Sequence, residues 1–209
     1  SAHGSALMGS QRDHYEGVYG GAEGDPSRVP WADLAPKPQL VEWLDANAPT
    51  GRAMDVACGL GDNAESLANA GWETTAFDIS SEAIEWARQR FPKSAVDYQV
   101  ADLFELPNPW IGAFDLVVES YIFQTMPPEY LPRSVPAVCS LVKPGGRLLV
   151  YTRLRDEGSS VEGPPWPLQP SDIKRLSAQG MRLADREDFI LPKGARMIPP
   201  AFMEWVKAE

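Results

Sequence analysis

The sequence predicts an α/β fold built around a mainly parallel sheet, and three observations carry that expectation. Short apolar strand patterns alternate with helical patterns from residue 38 onward. A turn with two glycines, Asp55-Val56-Ala57-Cys58-Gly59-Leu60-Gly61-Asp62-Asn63, lies between the first strand and its helix. Acids recur at or just past three successive strand ends, at Asp55, Asp78 and Asp102. A length of 209 residues suits one domain with a real core.

The elements follow in order. Pro38 to Ala48 places Leu40, Val41 and Leu44 at helical spacing behind a first-turn proline. Arg52–Ala57 is a short apolar strand. Asp62 is expected to cap a helix over Asn63–Ala70 that Gly71 closes. Glu73–Ile79 is a second strand, and Ser80 or Ser81 caps a helix with Ile84, Ala87 and Phe91 on one face, stopped by Pro92. Ala95–Val100 alternates as a third strand, and Phe114–Glu119 is a fourth, apolar enough to be buried on both faces. A crossover helix is expected within Pro128–Lys143, but Pro132 and Pro136 demand a late start or a kink. Pro144-Gly145-Gly146 turns into a fifth strand, Arg147–Thr152. A helix near Ser171–Gln179, a strand near Met181–Ile190 and a final strand over Ala201–Ala208 complete the pattern.

Composition narrows the chemistry. A net charge of -10 disfavours nucleic acid and anionic membranes as partners, and no apolar run is long enough for a helical span. Two cysteines supply neither a disulfide framework nor a zinc cluster, which suits a reducing cytoplasm. The two histidines, His3 and His14, both stand near the N-terminus, so a triad or a multi-histidine metal site is excluded and no metal is expected. Residues 1–10 read as a vector-derived remnant or a flexible leader, leaving 11–209 as the domain. Residues 11–38 form a long, aromatic-bearing stretch expected to act as an active-site lid.

The 55–63 turn is the informative site. Gly59 and Gly61 allow close backbone approach, and the following helix offers unpaired N–H groups. With Ala64 they also fit the G-x-G-x-x-A spacing of dinucleotide binders, so a nicotinamide oxidoreductase is an alternative. Asp55 argues against a pyrophosphate there and for a ligand carrying an ammonium. Asp78 stands 17 residues beyond Gly61, where it can take ribose hydroxyls. Asp102 and Leu103 can hold the edge and face of an adenine.

These residues, with Phe114-Asp115-Leu116-Val117-Val118-Glu119 and Lys143-Pro144-Gly145-Gly146, resemble the motifs of class I S-adenosylmethionine-dependent methyltransferases. Ala57 departs from the family's usual glycine. The resemblance implies a Rossmann-like seven-stranded sheet, helices on both faces and the last strand antiparallel. Val29-Pro30-Trp31, Pro36–Val41 and Gly163-Pro164-Pro165-Trp166 are similar to elements of the thiopurine S-methyltransferase and halide/thiol methyltransferase group. Carried over, the resemblance implies S-adenosyl-L-methionine as cofactor. It would be held by Trp31, Asp55, Ala57, Gly59, Gly61, Asn63, Asp78, Ile79, Asp102, Leu103 and Glu119.

The acceptor is expected to be a small molecule in an aromatic pocket of Tyr19, Trp31, Tyr121, Phe123 and Trp166, with Tyr15, Glu119 and Tyr121 as catalytic candidates. Scarce histidine favours a soft nucleophile needing little deprotonation: a thiol, selenol, halide or heteroaromatic sulfur or nitrogen. The alternative is O-methylation with Glu119 or His14 as base. A monomer or homodimer is expected.

Overall fold

The computed structural model describes residues 34–209. In chain order its elements are α1 (Pro38–Ala46), β1 (Arg52–Val56), α2 (Asp62–Asn69), β2 (Glu73–Asp78), α3 (Ser81–Arg90), β3 (Asp97–Val100), β4 (Phe114–Ser120), α4 (Ile122–Thr125), α5 (Leu131–Ser140), β5 (Val142–Arg153), α6 (Pro170–Ser177), β6 (Met181–Asp188) and β7 (Pro200–Lys207). The seven strands hydrogen-bond in the order β3-β2-β1-β4-β5-β7-β6. The pairs β2–β3, β1–β4 and β4–β5 are parallel, while β7 runs antiparallel to both β5 and β6. The expected α/β class, strand count and antiparallel last strand are therefore found.

The chain divides into two compact units, one holding residues up to 49 with Ala57–Asp102, the other Thr50–Val56 with Leu103–Glu209. In the first, Ala64, Ala76, Ile84, Ala87, Val96 and Tyr98 pack into one buried cluster. Burying a side chain such as Ile84 contributes roughly 1.5–3 kcal/mol. Ser80 caps α3, its hydroxyl accepting from the Ala83 N–H at 3.1 Å. The expected Asp62 cap is not formed. Gly61 occupies the N-cap position in a left-handed conformation, and Asp62 is instead the first helical residue.

In the second unit β4 is buried along most of its length, flanked by β1 and β5. The crossover helix starts late, as its prolines demand. A 3₁₀ turn over Pro128–Tyr130 precedes α5, Pro132 falls in the first turn, and Pro136 is accommodated inside the helix. One boundary differs from expectation. Residues Pro144-Gly145-Gly146 lie within β5, which begins at Val142, and the β4–β5 register shifts between Phe114 and Leu116 to admit them. Among the described residues no helix is long and apolar enough to cross a membrane.

Candidate active site

The turn after β1 is shaped by several local constraints in the first unit. Ala57 lies in the left-handed region at φ 50°, Gly59 at 53° and Gly61 at 94°. The Cys58 N–H donates to the Phe77 carbonyl at 2.9 Å, tying the turn to β2. A methyl group on Gly61 would overlap the Tyr98 hydroxyl, so glycine is required there for space as well as for φ. Ala57 has no such freedom, and a left-handed alanine costs about 1–2 kcal/mol.

Asp78 organises this turn from the end of β2. Its Oδ2 accepts from the Gly59 N–H and its Oδ1 from the Ser80 N–H, both at 2.9 Å. The side chain is buried, and burial raises its pKa while the N–H groups of Ser80, Gly59 and Ile79 pull it back down. Each carboxylate oxygen retains a second lone pair for a ligand hydroxyl. Ile79, next in sequence, and Asp102 are half-buried, and the Ala101 N–H donates to the Asp78 carbonyl at 3.1 Å. Asn63 is engaged elsewhere in the unit, its Oδ1 accepting from the Lys37 N–H at 2.9 Å.

Sequence reasoning missed one residue here. Arg90, at the end of α3, forks onto Asp62 at 2.9 and 3.0 Å and also donates to the Leu60 carbonyl at 2.8 Å. Its guanidinium covers the Phe91 ring at 4.8 Å. A conspicuous signal existed in Asp62, an acid at a helix start, but the partner lies 28 residues away.

In the second unit the carboxyl end of β4 carries a distinct arrangement. Glu119 is fully buried, and its Oε1 accepts from the N–H groups of Ile122 and Phe123. Its Oε2 is buried without a hydrogen-bond partner among the described residues. Burial pushes the carboxyl up to about 8, against the lowering influence of those two N–H groups. Asp55, opposite Val118 in the β1–β4 register, is 2% exposed, and Leu103 is also buried.

Tyr121 follows in the left-handed region at φ 64°, its N–H donating to the Tyr151 carbonyl at 2.8 Å. Its ring meets Tyr151 edge-on at 4.9 Å, and the Arg153 guanidinium lies over it at 5.5 Å. Phe123 is 1% exposed and belongs to the core, which favours packing over pocket lining. The Trp166 N–H donates to the Gln124 carbonyl at 2.7 Å, and its ring lies so close to Gly163 that any side chain there would collide. Gln124 also accepts at Oε1 from the Arg153 N–H at 2.8 Å and from the Thr152 hydroxyl at 3.2 Å. The expected sites at Tyr15, Tyr19, Trp31 and His14 lie outside the described residues. Among those described, no group of three or more His, Cys, Asp or Glu could hold a metal ion.

Asp78 in the first unit is a buried strand-end acid, and Glu119 in the second has a buried oxygen without a partner among the described residues; each is suited to a polar ligand group. Comparison with known proteins agrees. Residues 53–146 match a family described as a methyltransferase domain. A ubiquinone biosynthesis O-methyltransferase from Aromatoleum aromaticum is 35% identical over 120 residues, 55% of this chain and 50% of that protein. The relative from Thiobacillus denitrificans, of the same description, is 33% identical over 127 residues, 58% of this chain and 53% of its own length. The chain thus spans about half the length of these curated relatives. A solved structure described as conversion of a disulfide bond into a thioacetal group during echinomycin biosynthesis superposes with a TM-score of 0.76. It is 20% identical and covers 95% of this chain and 93% of its own. Magnesium protoporphyrin IX methyltransferase from Synechocystis PCC 6803 with bound SAH gives 0.66, at 22% identity over 81% of this chain and 80% of its own. These structures share the fold. The thiopurine and halide/thiol resemblance finds no counterpart among these relatives. Residues 53–146 thus match a methyltransferase-domain family, and the chain shares its fold with solved methyltransferase structures.

Proposed function

We propose that this chain transfers a methyl group from S-adenosylmethionine to an oxygen of a small-molecule acceptor, with Glu119 as the base. The observation that carries this is the Glu119 carboxyl: one oxygen fixed by two N–H groups, the other buried without a partner among the described residues, and an ionisation pushed up by burial to about 8. A base that ionises near working pH suits removal of a phenolic or similar proton, an effect worth roughly 10²–10⁴-fold in rate. The O-methyltransferase names of the relatives support oxygen over the soft nucleophile expected from sequence.

The cofactor supplies an activated methyl on a sulfonium, whose loss leaves a neutral thioether. This chain's residues bind and orient. Asp78 would accept from the ribose hydroxyls while its backbone bonds hold the glycine turn in shape. Asp102 and Leu103 would flank the adenine, and Gly59 and Gly61 would let the backbone approach the methionine portion. In the second unit Glu119 would take the acceptor's proton at Oε2, and Tyr121 and Trp166 would wall the acceptor. Alignment of reacting atoms in such a setting supplies roughly 7–11 kcal/mol. The proposal also takes residues 11–38, including Tyr15, Tyr19 and Trp31, as the active-site lid.

Calorimetry with S-adenosylmethionine, S-adenosylhomocysteine and NAD tests the cofactor assignment. Tight NAD binding without S-adenosylmethionine binding would instead establish the oxidoreductase alternative. Release of S-adenosylhomocysteine across matched phenol and thiophenol acceptors tests the accepting atom. Faster turnover of the thiophenols would restore the soft-nucleophile reading.

A further inference from the structure

The carboxyl end of β5 presents a cation that the methyl-transfer reading leaves unused. Arg153 is the last residue of β5 and is half-buried. Its guanidinium donates from one Nη to the Ile198 carbonyl and lies 5.5 Å over the Tyr121 ring. Among the described residues it forms no ion pair with a carboxylate. Guanidinium stays charged at any accessible pH and offers five N–H donors in a planar fork. Among the described residues one of them is used, on the Ile198 carbonyl, which leaves a half-buried cation able to bind a ligand's oxygens.

Its position is fixed. The Arg153 N–H is held by Gln124 Oε1 at 2.8 Å, and the adjacent Thr152 hydroxyl bonds the same oxygen at 3.2 Å. The carbonyl of Gln124 in turn holds the Trp166 N–H at 2.7 Å. The strand end that carries the guanidinium is therefore tied through Gln124 to the loop of Trp166. Beneath it Tyr121 meets Tyr151 edge-on at 4.9 Å, and Tyr151 continues to Phe189 at 6.0 Å. In open α/β sheets ligands dock beyond the carboxyl ends of the strands, where this cation and these rings stand.

We propose that Arg153 is a specificity-determining residue that binds a carboxylate carried on an aromatic methyl acceptor. The fork matches a carboxylate through two parallel N–H···O bonds, which a neutral ester cannot reproduce. The tyrosine rings offer edge and face contacts to the acceptor's own ring. This assignment rests on the methyl-transfer reading, because it names the acceptor of that same site.

The test uses the full chain saturated with S-adenosylhomocysteine, and calorimetry with 3,4-dihydroxybenzoate and its methyl ester as probes. The acid is expected to bind at least tenfold more tightly than the ester. Arg153→Met should abolish that preference with S-adenosylhomocysteine affinity unchanged, and Arg153→Lys, which keeps the charge without the fork, should retain part of it. Equal binding of acid and ester, absence of binding by either, or a preference that survives Arg153→Met overturns the proposal. Loss of S-adenosylhomocysteine binding by the unaltered chain would instead overturn the methyl-transfer reading, so the two failures are told apart.

Discussion

Arg90 grips Asp62 with both arms of its guanidinium, at 2.9 and 3.0 Å, and the same nitrogen that makes the shorter bond also holds the Leu60 carbonyl. The end of α3 is thereby fastened to the start of α2, directly beyond the Gly59–Gly61 turn. Both side chains are under one-fifth exposed, so the pair is partly desolvated. Removing one member leaves the other underpartnered, a loss of about 1–3 kcal/mol. Arg90→Met should lower the midpoint of thermal unfolding and weaken S-adenosylmethionine binding several-fold, both readable by calorimetry. Arg90→Lys should rescue little, because a single ammonium cannot reproduce the fork.

Ala57 offers a test of opposite sign. Glycine in place of alanine ordinarily costs about 0.5–1 kcal/mol in regular structure. At φ 50° the alanine is itself strained by about 1–2 kcal/mol. Ala57→Gly should therefore leave stability unchanged or raise it by up to ~1 kcal/mol in chemical denaturation. A loss of 1 kcal/mol would show that the turn relaxes around alanine.

Gln124 should act on the acceptor side alone. Gln124→Leu removes the acceptor for the Arg153 N–H and Thr152 hydroxyl, in a residue 4% exposed. The expected cost is about 2–3 kcal/mol in stability. Steady-state kinetics should show a raised acceptor KM with cofactor affinity preserved. An equal loss of cofactor affinity would contradict a local role.

Glu119 makes two linked predictions about pH. As the proposed base it must be ionised to act, so kcat/KM should rise with pH to a limb near 8, and Glu119→Gln should lose that limb with most of the activity. Stability moves the other way. The folded carboxyl titrates near 8 against 4.5 for the unfolded reference, so between these values the folded chain holds a proton that the unfolded chain has released. This group's contribution is thus present below about pH 4.5 and declines as pH rises toward 8, by at most about 1.4 kcal/mol per pH unit. Glu119→Gln should flatten the dependence of the unfolding midpoint on pH across that window.

Much of the fold was legible because the relevant signals are local. Ser80 before α3, the prolines ahead of α5 and the apolar run of β4 each act within a turn or two of their own position. Asp78 was legible as a strand-end acid, and its buried bonds to Gly59 and Ser80 suit that reading. What escaped depends on distant pairing. Asp62 looked like a cap because Arg90 is invisible to local reasoning, and Gln124 carries no local signal because its partners lie 28, 29 and 42 positions away in β5 and the loop before α6. Pro144-Gly145-Gly146 reads as a turn, yet a register shift lets β5 run through it.

The last strand in sequence is not the last in the sheet. β7 stands between β5 and β6 and supplies the antiparallel partner for both. During synthesis β6 emerges first and has no sheet edge to join until residues 200–207 follow. Completion of the second unit is thus gated by its most C-terminal pairing, and Lys207 then seals the seam by donating to the carbonyls of Cys139 and Val142. The β5 end that carries Arg153 pairs with Pro200 of β7, so it too waits for residues 200–207.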